Sequence, residues 1–224
     1  MSLSKWPAGE APREKLLLRG SQALSDAELL AVLLGTGSKN MSVLNLSRHL
    51  LERFGSLGAV VSARREELAG ERGVGVAKYA GLQAAVELAR RCAREGLEHG
   101  DTMGSPEQTR RFLSIHLRGC QREIFCCLFL DSQNALIKCE DMFQGTLDGA
   151  AVYPREVVSR ALQLNAAAVI LAHNHPSGVA EPSQADQRIT ERLQAALGLL
   201  DIRVLDHIIV GHGQEFSFAE RGLL

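Results

Sequence analysis

His173, His175 and Asp186 are the residues of this chain whose types and spacing suggest chemistry. The two histidines close an apolar run, Ala166 to Ala172, that reads as a strand buried on both faces. Side chains at i and i+2 leave a strand on the same side, so the two imidazoles form a pair. Pro176 and Gly178 then turn the chain, and Asp186 returns in the first turn of a helix. Two imidazoles and one carboxylate, with a fourth position open, are what a catalytic zinc site requires. Taken singly, each feature has a plainer reading. A histidine at a strand end is commonly a satisfied polar group, and Ser183-x-x-Asp186 has the form of a capping box. The cap does not exclude ligation, because a carboxylate in a first helical turn can still reach a neighbouring strand end. The conjunction favours a metal site.

The wording around these residues carries a resemblance. His-x-His-Pro, ten residues to an Asp and a Ser three before it resemble the JAB/MPN (JAMM) metalloprotease motif. The stretches GTLDGAAVYPREVVSRAL, LAHNHPSGVAEPSQAD, LDHIIVG and SFAERGLL are similar to the bacterial RadC family, once named for DNA repair. PREKLLLRGSQALSDAELLAVLLGTG resembles that family's N-terminal region, so the likeness spans nearly the whole chain. Asn174 stands where many JAMM proteases carry Ser or Thr, as the RadC family does. The string His-Asn-His is not the nuclease signature of the same letters, whose residues are widely separated. The resemblance implies a JAB/MPN-type α/β sandwich around a mixed sheet, Zn2+ on His173, His175 and Asp186, and hydrolysis of a peptide or isopeptide bond.

Such hydrolysis needs a further group. Zinc brings the pKa of water to about 7, but a base must still move the proton. The JAMM pattern uses a glutamate at the start of an upstream strand, a setting that Glu123 in Gln-Arg-Glu-Ile-Phe matches. Glu156 is the rival; Pro154 places it in a first helical turn, where an acid is favoured by the helix dipole alone. By the same resemblance Ser183 donates to the oxygen that becomes negative. Asp206 and His207 read as structural, with a place behind the ligands as the other reading. His49, His99, His116 and His212 have no companions in sequence and read as surface.

The elements that must position these groups fall into two parts. Residues 1–100 read as a small all-α domain: a capped helix from Ser25, a second over Val43 to Phe54, a third near Arg64 to Leu68, and a long helix after Gly-Val-Gly. That turn resembles a helix-hairpin-helix element, in which amides and Lys78 would meet a phosphate; its plainer reading is a tight interhelical turn. Arg90, Arg91 and Arg94 suit a helix C-terminus as well as they suit DNA. The Gly, Ser and Pro of residues 94–106 mark a boundary. Residues 101–224, which the resemblance implies to be the JAB/MPN domain, read as a helix from Pro106 capped by Ser105, a strand Glu123 to Leu130, a turn, a strand Ala135 to Glu140, a helix from Pro154, the histidine-bearing strand, a helix Ser183 to Leu200, and a strand Ile202 to Val210.

Composition bounds the rest. The chain has 224 residues, 46% of them hydrophobic, which suffices for one large or two small domains. Net charge is −1, but residues 1–100 carry 14 basic against 11 acidic groups and residues 101–224 carry 11 against 15. A surplus of +3 is compatible with nucleic acid and far too small to establish it. No apolar run reaches about 18 residues and the N-terminus lacks a signal peptide's apolar segment, so a cytoplasmic protein without a membrane span is expected. Five cysteines without a Cys-x-x-Cys pair argue against a disulfide framework, and Cys126 and Cys127 read as small buried apolar groups. A zinc nucleobase deaminase is excluded by the lack of His-x-Glu and Pro-Cys-x-x-Cys. The expected function is a zinc-dependent hydrolase of the metallopeptidase or isopeptidase type. The alternative is a DNA-associated repair protein whose metal domain is an interaction module. These motifs encode neither the bond cut nor an oligomeric state.

Overall fold

Three serines start three helices of the N-terminal part. In the structure, a computed structural model that describes residues 6–98, 106–117, 119–120, 122–145 and 152–224, α1 spans Pro12–Arg19, and Ser25, Ser42 and Ser56 then cap α2 (Asp26–Leu34), α3 (Val43–Phe54) and α4 (Leu57–Ser62). Each serine oxygen accepts an amide that the first turn would otherwise leave unpaired. At Ser25 the device is reciprocal, since Glu28 Oε2 accepts the Ser25 amide at 2.8 Å. α5 (Arg65–Ala69) and α6 (Val76–Glu98) follow. Leu30, Leu34, Leu46, Leu50, Val60, Leu68 and Leu82 close over one another as the core of this unit. The short α4 is not visible in the apolar spacing, because six residues give too little periodicity.

The chain divides into two compact units, Met1–Leu88 and Ala89–Leu224. The boundary stretch read from composition lies mostly outside the described residues, as do Ser105 and His99.

The second unit is built on five strands: β1 (Ile124–Leu130), β2 (Leu136–Gln144), β3 (Ala168–Asn174), β4 (Arg203–Val210) and β5 (Glu215–Ser217). Their order is β2-β1-β3-β4-β5, antiparallel throughout except for β3 against β4. Every residue of β3 is buried, as a continuous apolar run at the centre of a sheet demands. On one face α7 (Pro106–Leu117) sets Phe112, Leu113 and Leu117 against Leu128, Leu130, Ile170 and Ala172. On the other face α8 (Pro154–Gln163) and α9 (Gln184–Gly198) set Val157, Ala161, Leu193 and Leu197 against Phe125, Phe129, Val169 and Leu171. Burial of each such Leu, Val or Phe contributes roughly 1.5–3 kcal/mol. This is the α/β sandwich around a mixed sheet that the sequence led us to expect.

Two details differ. The returning strand continues past Glu140 to Gln144, following β1 with one extra residue at each of two register shifts, Phe125/Cys126 and Phe129/Leu130. β5, only three residues long, escapes sequence reading altogether. Among the described residues no helix is long and apolar enough to cross a membrane.

Candidate metal centre

β3 delivers His173 and, one residue past its end, His175, to the side of the sheet covered by α9. The parallel register with β4 sets His173 beside Ile209, and the His175 amide donates to Val210 O at 3.0 Å, which prolongs the pairing. Asp186 is the third residue of α9, where its Oδ2 accepts the Ser183 amide at 2.7 Å while Ser183 Oγ accepts the Asp186 amide at 3.2 Å. The capping box is therefore real, and it aims the carboxylate instead of consuming it. His173 Nε2 lies 3.0 Å from His175 Nε2 and 3.2 Å from Asp186 Oδ1, and His175 Nε2 lies 3.5 Å from Asp186 Oδ2.

The hydrogen bonds behind these atoms determine which of them carry protons. Thr190 Oγ1 donates its one proton to the Asp186 carbonyl at 2.6 Å, so the His207 Nδ1 2.6 Å away must be the donor in that pair. His207 is wholly buried, and burial pushes its pKa well down, which keeps it neutral. Its Nε2 is then bare and accepts from His173 Nδ1 at 2.9 Å. His173, protonated on Nδ1, presents a lone pair on Nε2. His175 reaches the same state by a different route, because its Nδ1 donates to the Val179 carbonyl at 2.7 Å. That carbonyl is positioned by the turn at Gly178, whose φ of 86° suits glycine and whose missing side chain leaves room for the His212 ring.

Three acceptors thus face one another: two imidazole Nε2 atoms and a carboxylate. Such an arrangement is repulsive until a cation enters it. Without a metal only a proton can serve, and the Asp186 carboxylate accordingly raises the pKa of His175 against the effect of burial. Burial works to raise Asp186 in turn, but its bonds to His173 and His175 outweigh this and hold the carboxyl far below the usual range. The donor set is compatible with a metal ion.

Glu123 precedes β1 directly. Antiparallel register pairs Phe125 with His173, and two further steps set Glu123 level with His175. Its charge is felt there, as one of the groups that raise the His175 pKa. Asn174, buried between the histidines, holds this approach in place: its Oδ1 accepts the Ile124 amide at 2.9 Å, and its Nδ2 donates to the Arg122 and Cys120 carbonyls at 3.1 and 3.2 Å. Glu156 is exposed in the first turn of α8 and pairs with Arg155 at 3.1 Å. Ser183 is exposed beside Asp186, and its hydroxyl proton is not used by the cap.

Two readings of single residues change. His207 lies directly behind His173, whereas Asp206 does not touch the triad; Asp206 accepts from the amides of His207 and Ala219 and from Ser217 Oγ, tying β4 to the C-terminal segment. His116 is no lone surface residue, since its ring stacks on Phe112 and its Nε2 lies 2.7 Å from Asp141 Oδ1. His49 is exposed, as read, with Glu71 2.7 Å away, and His212 is exposed too. In the N-terminal unit the Lys78 ammonium donates to the carbonyls of Gly73 at 2.6 Å and Gly37 at 2.9 Å, and desolvation lowers its pKa. A cation so engaged braces the Gly-Val-Gly turn. Gly73 itself is required, at φ 100° and with Ser38 against it, whereas Gly75 has open space where a side chain would be.

Comparison with known proteins places these observations. A family profile described as RadC-like JAB domain matches residues 103–223, and one described as UPF0758 N-terminal matches residues 3–80. A UPF0758 protein of Marinobacter nauticus is 56% identical over 224 residues, with 100% of each chain covered. Those of Vibrio campbellii and Cellvibrio japonicus are 59% identical over 222 residues and 58% over 224, covering 99% and 100% of each chain.

Proposed function

This chain belongs to the RadC-like JAB domain family, and on that premise we propose that it is a zinc-dependent hydrolase of peptide or isopeptide bonds. His173, His175 and Asp186 would hold the ion. The observation that carries this reading is the convergence on one point of two imidazole Nε2 atoms and a carboxylate, each oriented by the bonds behind it. When bound, the metal supplies a Lewis acid that polarises a carbonyl and lowers the pKa of water to about 7.

The protein's own groups do the rest. Glu123, level with His175, takes the proton of the attacking water and passes it to the leaving nitrogen. The Ser183 hydroxyl donates to the carbonyl oxygen as charge develops on it. His207 and Val179 O engage the Nδ1 side of both rings, so that each imidazole, when neutral, turns its Nε2 lone pair toward the ion.

The test compares Glu123→Gln with Glu156→Gln on a panel of peptides and isopeptide-linked substrates at matched metal loading. The first should retain metal and lose about 10² to 10⁴ in turnover, the usual contribution of a general base, while the second should stay close to the parent. Full turnover in Glu123→Gln would remove the base from this scheme.

A further inference from the structure

We propose that the opposite face of the sheet carries a second metal site, in which His116, Cys126 and Cys139 take a thiophilic divalent cation such as Zn2+. The three side chains come from α7, β1 and β2. Each offers one ligand atom, and these atoms all lie within 4.8 Å of one another.

Strand register brings the sulfurs together. Cys126 stands opposite Asp141 and Leu128 opposite Cys139, so Cys126 and Cys139 are diagonal neighbours on one side of the β1/β2 pair. That side packs against α7, as both residues' place beside Phe112 and Leu117 records. Phe125, one residue before Cys126, points the other way and stacks on His173. The two sites therefore lie on opposite faces of the sheet and share no ligand.

His116 enters from the last turn of α7 with its ring already held. It stacks on Phe112, and Asp141 Oδ1 lies 2.7 Å from its Nε2. A carboxylate in contact with an imidazole is how metal sites fix a histidine's orientation. Asp141, facing Cys126 across the ladder, would either keep that duty or fill the fourth position. Two sulfurs and an imidazole form a soft donor set, which suits zinc and does not suit magnesium or calcium. With Zn–S near 2.3 Å and Zn–N near 2.0–2.1 Å, ligand atoms of a tetrahedral site stand roughly 3.5–3.8 Å apart, so closure needs movements of about 1 Å. Access is available: the side chains of His116 and Asp141 are 15% and 36% exposed. The adjacent Cys139 and burial both hold Cys126 in its protonated form, so loading releases the two thiol protons to solvent.

Cobalt substitution separates this site from the one on the other face, which contains no sulfur. Full-length, fully reduced protein titrated with Co2+ should develop a near-ultraviolet thiolate-to-cobalt charge-transfer band. The band should persist when His173 and His175 are both changed to Ala, and it should vanish in Cys139→Ser, a partly exposed position chosen because Cys126→Ser would bury a hydroxyl in the core. In parallel, bound zinc should fall from two ions per chain to one in Cys139→Ser and in His116→Ala. A folded, reduced parent protein that shows no such band at saturating Co2+, or a band that survives Cys139→Ser, would overturn the proposal. So would a Cys126–Cys139 disulfide that forms in the presence of excess zinc.

Discussion

Asn174 Oδ1 accepts the Ile124 amide at 2.9 Å, while its Nδ2 spans the carbonyls of Arg122 and Cys120. The peptides on both sides of Glu123 are thus fixed to the residue between the two histidines. We expect Asn174→Ala to leave metal content near that of the parent, to lower turnover, and to cost about 1–3 kcal/mol in stability for buried groups left unpaired. Metal analysis, steady-state rates and denaturant unfolding of the variant check this; unchanged turnover would show that Glu123 does not depend on the clamp.

How far all this is legible in the sequence depends on the range of each interaction. The pair His173 and His175 is readable because strand periodicity is local, and the Ser183 cap because it spans one helical turn. Glu123 could be set beside an apolar strand, but its level with His175 rests on an antiparallel register between segments 50 residues apart. The part played by His207 is hidden from sequence, since nothing in Leu-Asp-His-Ile-Ile says which of two polar neighbours faces inward. Only the strand's alternation against Thr190 decides that. Cys126 and Cys139 offered no motif, because a diagonal cross-strand pair has no fixed sequence spacing. In the N-terminal unit the glycine turn was visible, but the carbonyls that engage Lys78 include one from Gly37, which no local pattern connects to it.

His207 should govern metal affinity without touching the metal. Its Nε2 holds His173 Nδ1–H at 2.9 Å, and a side chain lacking that acceptor frees the His173 tautomer. We expect His207→Phe to weaken metal binding by about 10- to 100-fold, the usual effect of removing a group that orients a ligand. Competition with a calibrated chelator measures it, and affinity equal to the parent's would rule out the relay.

The Glu140–Arg160 pair should give the protein an acid-sensitive element. Arg160 Nε and Nη2 each lie 2.6 Å from a Glu140 oxygen, and with Lys138 they lower that carboxyl from 4.5 to about 2. A folded pKa below the unfolded one means that the pair's contribution is complete above about pH 4.5 and is lost as pH falls toward 2. Glu140→Gln should therefore be less stable than the parent near neutral pH, with the difference closing across that window. Unfolding midpoints of both proteins as a function of pH supply the check; a gap that is unchanged at the acid end would contradict it.

Anomalous diffraction at the zinc edge from crystals of the zinc-loaded protein tests the central claim most directly. An ion at the triad should be seen about 2.0–2.2 Å from His173 Nε2, His175 Nε2 and an Asp186 oxygen, with His207 still bonded to His173 Nδ1. No anomalous peak at that point in zinc-saturated crystals, with His175 Nε2 instead donating a proton to Asp186, would contradict the account.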